Sequence, residues 1–135
     1  MADKTAGGRR AGALVPLFSI ASTRSWGIGE IADLPLFTGW ARTAGLSVVQ
    51  LLPVNEMAGG QSSPYSALSA MAIDPIFIAV RDVPEFASAG ADEMLSATQR
   101  EQLETIRRST SVSHRLVREL KTDVLRALFD RFVEE

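Results

Sequence analysis

The sequence of 135 residues contains no cysteine and a single histidine, His114. The lack of cysteine excludes disulfide bonds, thiolate metal sites and cysteine nucleophiles, and it is consistent with a reducing compartment. One histidine excludes any site that needs several imidazole groups. Because His114 stands beside Arg115 near the start of a predicted helix, we expect a solvated side chain. We therefore predict no metal site and no cofactor.

The sequence also has little net charge and no long hydrophobic run. A formal net charge of −2 gives no electrostatic attraction to nucleic acid or to an anionic membrane. The longest apolar-rich stretch, residues 67–80, is interrupted by Asp74 and Pro75 and is too short to cross a bilayer. The polar first ten residues lack the apolar segment of a secretory signal. These features predict a cytoplasmic protein with no nucleic-acid or membrane partner.

The sequence does contain enough apolar residues for a packed core, since hydrophobic residues make up 46% of the chain and charged residues 22%.

After a leader over residues 1–11 that we expect to be disordered, two apolar runs, 13–20 and 47–54, flank a helical pattern. Such runs around a helix are typical of parallel strands buried on both faces. The helix is predicted to begin after Asp33, acting as its cap, and to end at Gly45. The chain therefore opens as a β–α–β unit with a right-handed crossover.

The rest of the chain contains one long connection and two helical patterns. The connection, residues 55–74, follows the second strand, and long loops inside compact domains are usually functional. Residues 76–80 predict a short strand, and residues 91–107 and 112–133 predict helices. In the last helix apolar residues recur every four positions, which predicts a face turned to a core. The fold class is α/β, and because so few strands do not complete a parallel sheet, we interpret the chain as stopping inside a larger fold.

The segment 61–77 carries the most chemical information. A tyrosine that follows a proline, in a loop after a parallel strand, projects from the face where barrel enzymes have their active sites. The ring of Tyr65 can stack on a pyranose and its hydroxyl can bind a sugar oxygen, and Ser63 adds a second hydroxyl. Asp74 is held extended by Pro75, so its carboxylate either caps local backbone or reaches a cleft. The alternative is that Tyr65 is a partly buried loop anchor and Asp74 a turn residue.

A second candidate segment is residues 24–30, in which two glycines allow tight backbone paths. Trp26 can line a sugar cleft from this loop. The alternative is that Trp26 packs on the first helix and that Glu30 is solvated.

The same stretch matches a dinucleotide-binding fingerprint, G-x-G-x-x-A, through Gly27, Gly29 and Ala32. Six residues separate Ile20 from Gly27, whereas the fingerprint places its first glycine directly after the strand. The acidic residue expected about 20 positions further on is also missing. A dinucleotide-binding domain is therefore the less favoured alternative.

Five short blocks occur in order along the chain, at residues 14–20, 26–30, 50–54, 63–70 and 74–75. This series resembles the N-terminus of 4-α-glucanotransferases (amylomaltase or disproportionating enzyme) of glycoside hydrolase family 77, over Gly12 to Phe86. The resemblance implies an incomplete (β/α)8 TIM barrel, with the first βαβ unit in residues 12–86 and a helical insertion or subdomain in residues 87–135.

The resemblance also implies an enzyme that transfers α-1,4-glucan segments between maltodextrins by a retaining double displacement. The family's three catalytic carboxylates follow the matched region, so no catalytic residue is assigned in this chain. Substrate contact carries over at Tyr65, which matches the family tyrosine beside the scissile bond, and at Ser63. Asp74 stands where many members have asparagine before the proline, and Trp26 is kept as a fourth candidate.

The expected function is therefore 4-α-glucanotransferase by family, with this chain inactive alone because both reacting carboxylates are missing. The alternative is a non-catalytic glucan-binding or partner-completed fragment, whose exposed apolar faces would favour self-association.

Overall fold

The computed structural model describes residues 9–58, 65 and 67–134. The strands and α-helices are β1 (Gly12–Val15), α1 (Leu34–Thr43), β2 (Val48–Leu51), α2 (Pro84–Ser88), α3 (Ala97–Arg108) and α4 (His114–Glu134). Short 3-10 turns occur at Leu17–Ser19, Ile31–Asp33, Pro75–Phe77, Val80–Asp82 and Ala91–Met94. Residues 1–8 of the predicted leader lie outside the described residues.

The two strands pair in parallel, with Gly12 opposite Val48 and Val15 opposite Leu51. This confirms the β–α–β order and the parallel pairing. β1 is shorter than predicted, because Pro16 has no N–H to continue the ladder and the chain turns into a 3-10 helix directly after it.

Helix α1 ends where the sequence predicted. Gly45 follows the helix in the left-handed region (φ +80°). Its N–H donates to the carbonyl of Arg42, and the next N–H, of Leu46, donates back to Ala41. This is the Schellman arrangement, which satisfies the last carbonyl groups of the helix. The predicted cap at the other end is wrong, since Asp33 makes no side-chain cap bond to α1.

The predicted strand over residues 76–80 is also wrong. Two 3-10 turns stand there, and they bury Ile76, Phe77 and Val80. Pro75 opens the first turn, and buried residues one and four positions apart suit a helical turn better than an alternating strand. Helix α3 starts later than predicted, at a reciprocal capping box between Ser96 and Gln99.

The core lies between α3, α4 and the loops, and the sheet contributes little to it. Helix α4 buries Val117, Leu120, Lys121, Val124 and Leu128. An α-helix has 3.6 residues per turn, so the predicted row of every fourth residue drifts off this face, and Phe132 is 61% exposed. The remaining core side chains come from both sides of residue 86, and the division into 12–86 and 87–135 stays a prediction.

One face of the two-stranded sheet is open to solvent, since Leu14 of β1 and Val48 of β2 lie on it and are 61% and 43% exposed. The residues of the other face are half-buried, so the prediction of strands buried on both faces is wrong for this chain. Parallel sheets are normally covered on both faces. Among the described helices, none combines the length and apolar character needed to cross a membrane.

Candidate functional site

Two loops leave the sheet at the same edge, because β1 and β2 run parallel. Loop 1 is residues 16–33, between β1 and α1, and loop 2 is residues 52–74, after β2. They face each other across a small cavity lined by Pro16, Leu17, Phe18, Pro53, Asn55, Met57, Phe77 and His114. The carboxyl edge of the strands is therefore where the first residues of loop 1 and loop 2 meet.

Loop 2 folds back on itself as two antiparallel arms. Isolated bridges pair Asn55 with Ile73 and Met57 with Ala67. The side-chain amide of Asn55 also donates to the carbonyl of Ala70 at 2.9 Å. Tyr65 stands two residues before Ala67, so it lies beyond the bridge between Met57 and Ala67, and we call the position of Tyr65 the tip of loop 2.

Tyr65 is 72% exposed and lies in a turn. The alternative of a partly buried anchor is therefore wrong. An exposed ring at the carboxyl edge of parallel strands is placed where it can stack on a ligand. Ser63, the second predicted sugar contact, lies outside the described residues, and its role stays a prediction.

Asp74 forms the root of loop 2 and is fully buried. Its Oδ1 accepts from the N–H of Ile76 at 3.0 Å and from Arg118 Nη1 at 2.9 Å. Its Oδ2 accepts from Arg118 Nη2 at 2.5 Å and, over 3.4 Å, from the N–H of Met57. Of the two predicted roles, the structure has the local backbone cap, and it adds a bidentate ion pair. A direct sugar contact by Asp74 stays a prediction that this geometry does not favour.

Trp26 is 1% exposed and packs edge-on against Phe86, with ring centroids 5.8 Å apart. Of the two predicted positions, the structure has the packed one, with Phe86 as the aromatic partner, and packing on α1 itself stays a prediction. An indole ring this buried has no face for a sugar to stack on. A sugar contact by Trp26 therefore stays a prediction without support from its position.

Glu30 is buried rather than solvated, and it pairs with Lys121 of α4 at 2.6 Å. The same ammonium group donates to the carbonyls of Ile76 and Ile78 at 2.8 and 2.7 Å. Burial raises the pKa of Glu30, against the lowering effect of Lys121. Burial likewise lowers the pKa of Lys121, against the raising effect of Glu30. The pair ties loop 1 and the segment after loop 2 to one helix.

Asp33 belongs to the same region of loop 1. Its Oδ2 accepts from the N–H of Glu30 at 2.7 Å and from the hydroxyl of Ser25 at 2.8 Å. This explains why Asp33 does not cap α1: its carboxylate closes the turn before the helix.

The two glycines of loop 1 allow close packing within the chain itself. A Cβ on Gly27, which has φ +73°, would lie 2.0 Å from the Cγ2 of Ile106. A Cβ on Gly29 would lie 2.0 Å from the carbonyl oxygen of Leu17. Protein atoms thus occupy the space that a dinucleotide phosphate would need, which removes the basis of the fingerprint interpretation.

His114 is half-buried, and its ring meets Phe18 edge-on with centroids 5.1 Å apart. The prediction of a solvated side chain is therefore wrong. Burial lowers the pKa of His114, and the charge of Arg118 lowers it further, while Asp74 acts in the opposite direction.

The sequence reasoning missed Arg118 and Lys121. Lys121 left a signal, because it stands within the apolar stripe of α4, where a lysine needs a buried partner. Arg118 left none, since its partner Asp74 is 44 residues away in the sequence.

A second cavity, of about 520 Å³, lies between loop 1 and the connection from α3 to α4. Its lining includes seven hydroxyl residues, Ser19, Ser22, Thr23, Ser25, Ser109, Thr110 and Ser111. None of its described lining residues is a carboxylate, so these residues do not offer the paired acids that glycosidic chemistry needs.

Comparisons with known proteins agree with the resemblance in the sequence. A family model described as 4-alpha-glucanotransferase matches residues 15–135. A 4-alpha-glucanotransferase of Chlamydia pneumoniae is 33% identical over 120 residues, which are 89% of this chain and 22% of that protein. A 4-alpha-glucanotransferase of Mycobacterium tuberculosis H37Rv is 37% identical over 93 residues, which are 62% of this chain and 13% of that protein.

The fold comparison agrees as well. The crystal structure of amylomaltase from Corynebacterium glutamicum matches with a TM-score of 0.68 and 28% identity, covering 89% of this chain and 18% of that one. The chain spans about a fifth or less of the length of these relatives. Its match to the family model covers most of its own length. The chain therefore belongs to the 4-alpha-glucanotransferase family.

Proposed function

We propose that the chain is part of a 4-α-glucanotransferase and that loop 2 forms one wall of its groove for α-1,4-glucan. In this proposal β1, α1 and β2 are the first βαβ unit of a (β/α)8 barrel. The parallel pairing and the exposed face of the sheet support it, because the further elements of a barrel would cover that face.

The observation that carries the proposal is the exposed ring of Tyr65 at the carboxyl edge of two parallel strands. Tyr65 would stack on a glucose unit, with Ser63 as its polar neighbour. Asp74 and Trp26 would act behind this surface, since both are buried.

The chain's own buried carboxylates are engaged inside the protein. Glu30 pairs with Lys121, Asp74 pairs with Arg118, and Asp33 accepts from backbone and a hydroxyl. A retaining transfer needs one free carboxylate as nucleophile and a second as acid and base. We therefore expect the reacting carboxylates to come from sequence outside these 135 residues, and the chain alone to leave maltotriose unchanged. Glucose release above a protein-free blank would contradict this.

Glucan binding is testable on the chain itself. The sequence has one tyrosine, so 3-fluorotyrosine labelling gives one 19F NMR signal that reports on Tyr65. Maltotriose should shift this signal in a saturable way, and the β-linked cellotriose should shift it less. In calorimetric titrations Tyr65→Ala should weaken maltotriose binding about two- to tenfold, the range for loss of one stacking contact.

The matched control is Trp40→Ala, which removes an aromatic ring of α1 that is 60% exposed. Its maltotriose affinity should equal that of the unchanged chain. Equal losses in both variants, or no 19F shift, would refute a groove at loop 2.

The second candidate is a non-catalytic glucan-binding or partner-completed fragment. Its support is the apolar surface at the end of α4, where Phe129, Phe132 and Val133 are each more than 60% exposed. Surfaces of this kind favour association. Size-exclusion chromatography with light scattering should then show concentration-dependent oligomers, and a monomer at all concentrations would count against this candidate. We expect a cytoplasmic protein in either case, with α-1,4-glucan as the ligand.

A further inference from the structure

We propose that Arg118 is a positioning residue, whose ion pair with Asp74 fixes the orientation of Tyr65 at the tip of loop 2. The sugar-binding consequence rests on the proposed function, whereas the effect on the tip does not.

The first step of the argument is the geometry of the pair. The two terminal guanidinium nitrogens of Arg118 donate to the two oxygens of Asp74, at 2.9 and 2.5 Å. The aspartate is fully buried, and the arginine side chain is 34% exposed. A bidentate pair with a buried carboxylate fixes direction as well as distance. Hydrogen bonding to Asp74 raises the pKa of Arg118 above its usual value.

The second step is the rigidity of the helix that presents Arg118. One turn further along α4, Lys121 is held by Glu30 and by the carbonyls of Ile76 and Ile78. Residues 74–78 are thus bound to α4 at both ends, by Arg118 at Asp74 and by Lys121 beyond it. Loop 2 therefore ends on a fixed support.

The third step runs from Asp74 to the tip. Asp74 Oδ2 accepts from the N–H of Met57, and Met57 is bridged to Ala67. The N–H of Asp74 donates to the carbonyl of Val54 at 3.0 Å, which joins the bases of the two arms. Tyr65 is two residues from Ala67, so the direction of the tip depends on how these arms are held together.

The consequence of losing Arg118 follows from burial. The carboxylate would keep two backbone N–H donors but no counter-charge. A buried and unpaired charge is costly, so the root of loop 2 would open to let water reach it. Opening at the root would release the arms and broaden the range of orientations at the tip.

The decisive experiment uses the single 19F signal of the 3-fluorotyrosine-labelled chain in the absence of sugar. Arg118→Met should shift or broaden that signal. Arg118→Lys keeps the charge but not the fork of donors, so it should give an intermediate spectrum. The matched control is Arg115→Met, since Arg115 lies on the same helix in an exposed pair with Glu119. Its spectrum should match that of the unchanged chain.

A second set of variants tests the pair rather than the arginine alone. Asp74→Asn keeps an acceptor for the N–H of Ile76 but removes the charge, and it should move the signal as Arg118→Met does. Because both substitutions remove one interaction, the double variant should show no added effect. If Arg118→Met fails to fold by circular dichroism, Arg118→Lys and Asp74→Asn still decide the question.

Maltotriose then separates this proposal from the proposed function. In variants that fold, Arg118→Met should weaken maltotriose binding about twofold or more, but by no more than Tyr65→Ala does, with partial recovery in Arg118→Lys. If Arg118→Met lowers the free energy of unfolding but leaves both the 19F signal and the affinity unchanged, the residue is merely structural and the proposal is overturned. If maltotriose binds nowhere, the proposed function fails, and the sugar-free spectra alone decide the role of Arg118.

Discussion

Replacing Lys121 with methionine should destabilise the chain more than almost any other single change on α4. The ammonium group makes three hydrogen bonds of 2.6 to 2.8 Å, and its side chain is 1% exposed beside a Glu30 side chain that is 5% exposed. Methionine keeps the apolar stem and removes all three donors. Breaking a buried pair from one side costs about 3–5 kcal/mol, because the other charge stays buried without a partner. A domain of this size typically has about 5–15 kcal/mol in total.

The partner substitution shows whether the uncompensated charge is the cause. Burial shifts the pKa values of both groups toward their neutral forms, Glu30 upward and Lys121 downward. Removing both charges in Glu30→Gln with Lys121→Met should therefore recover at least half of the loss. Urea unfolding followed by circular dichroism at 222 nm measures each free energy of unfolding.

The control is Arg108→Met, which breaks a pair with Glu104 in which both side chains are more than 60% exposed. Exposed helix pairs of this kind contribute about 0.3–0.5 kcal/mol. If Lys121→Met costs no more than Arg108→Met, or if the double variant equals the sum of the two single ones, the buried pair does not hold loop 1 as argued.

Three further predictions follow from the same structure. Gly27→Ala should lower the free energy of unfolding in urea by about 1–3 kcal/mol, because of the left-handed backbone and the contact with Ile106. Gly39→Ala, on open helix surface, should raise that free energy by up to about 1 kcal/mol. Similar effects at both sites would contradict the argument. Because burial lowers the pKa of His114 below its ordinary 6.5, its contribution to stability is present above pH 6.5 and is lost as the pH falls through the folded value; an NMR titration of this single histidine that gives 6.5 or more would refute it. Tyr65→Phe should keep most of the maltotriose affinity that Tyr65→Ala loses, since the ring supplies the stacking surface, and calorimetry giving equal losses would assign the contact to the hydroxyl.

The sequence was sufficient for those parts of the fold that local chemistry decides. Pro35 and Gly45 bound α1 because one suits the first helical turn and the other the left-handed position after the last. The two apolar runs gave the parallel pair, although Pro16 shortens the first strand. The segment 76–80 was predicted wrongly, because a short apolar run does not distinguish a strand from a buried turn.

For the candidate site, too, the sequence was sufficient only where local chemistry decides the position of a side chain. Tyr65 was a candidate because a tyrosine in a loop after a parallel strand lies at the carboxyl edge of the sheet and because it matches the tyrosine of the family motif, and its exposure agrees with a role in binding. For Trp26 and Asp74 the sequence left a buried and a cleft-facing position open, since the choice depends on partners more than 40 residues away in the sequence, Phe86 and Arg118. Pairs of that kind are set by the packing of loops against α4, which no local pattern encodes.

The most direct measurement of the central claim is an NOE experiment on the chain with maltotriose, recorded on the ring protons of Tyr65. Contact between this ring and a glucose unit should give cross-peaks from its aromatic protons to the sugar ring protons, and these should vanish in Tyr65→Ala. Cross-peaks that arise only from Trp40 or from another aromatic ring would show that glucan binds elsewhere and that loop 2 is not the wall of the groove.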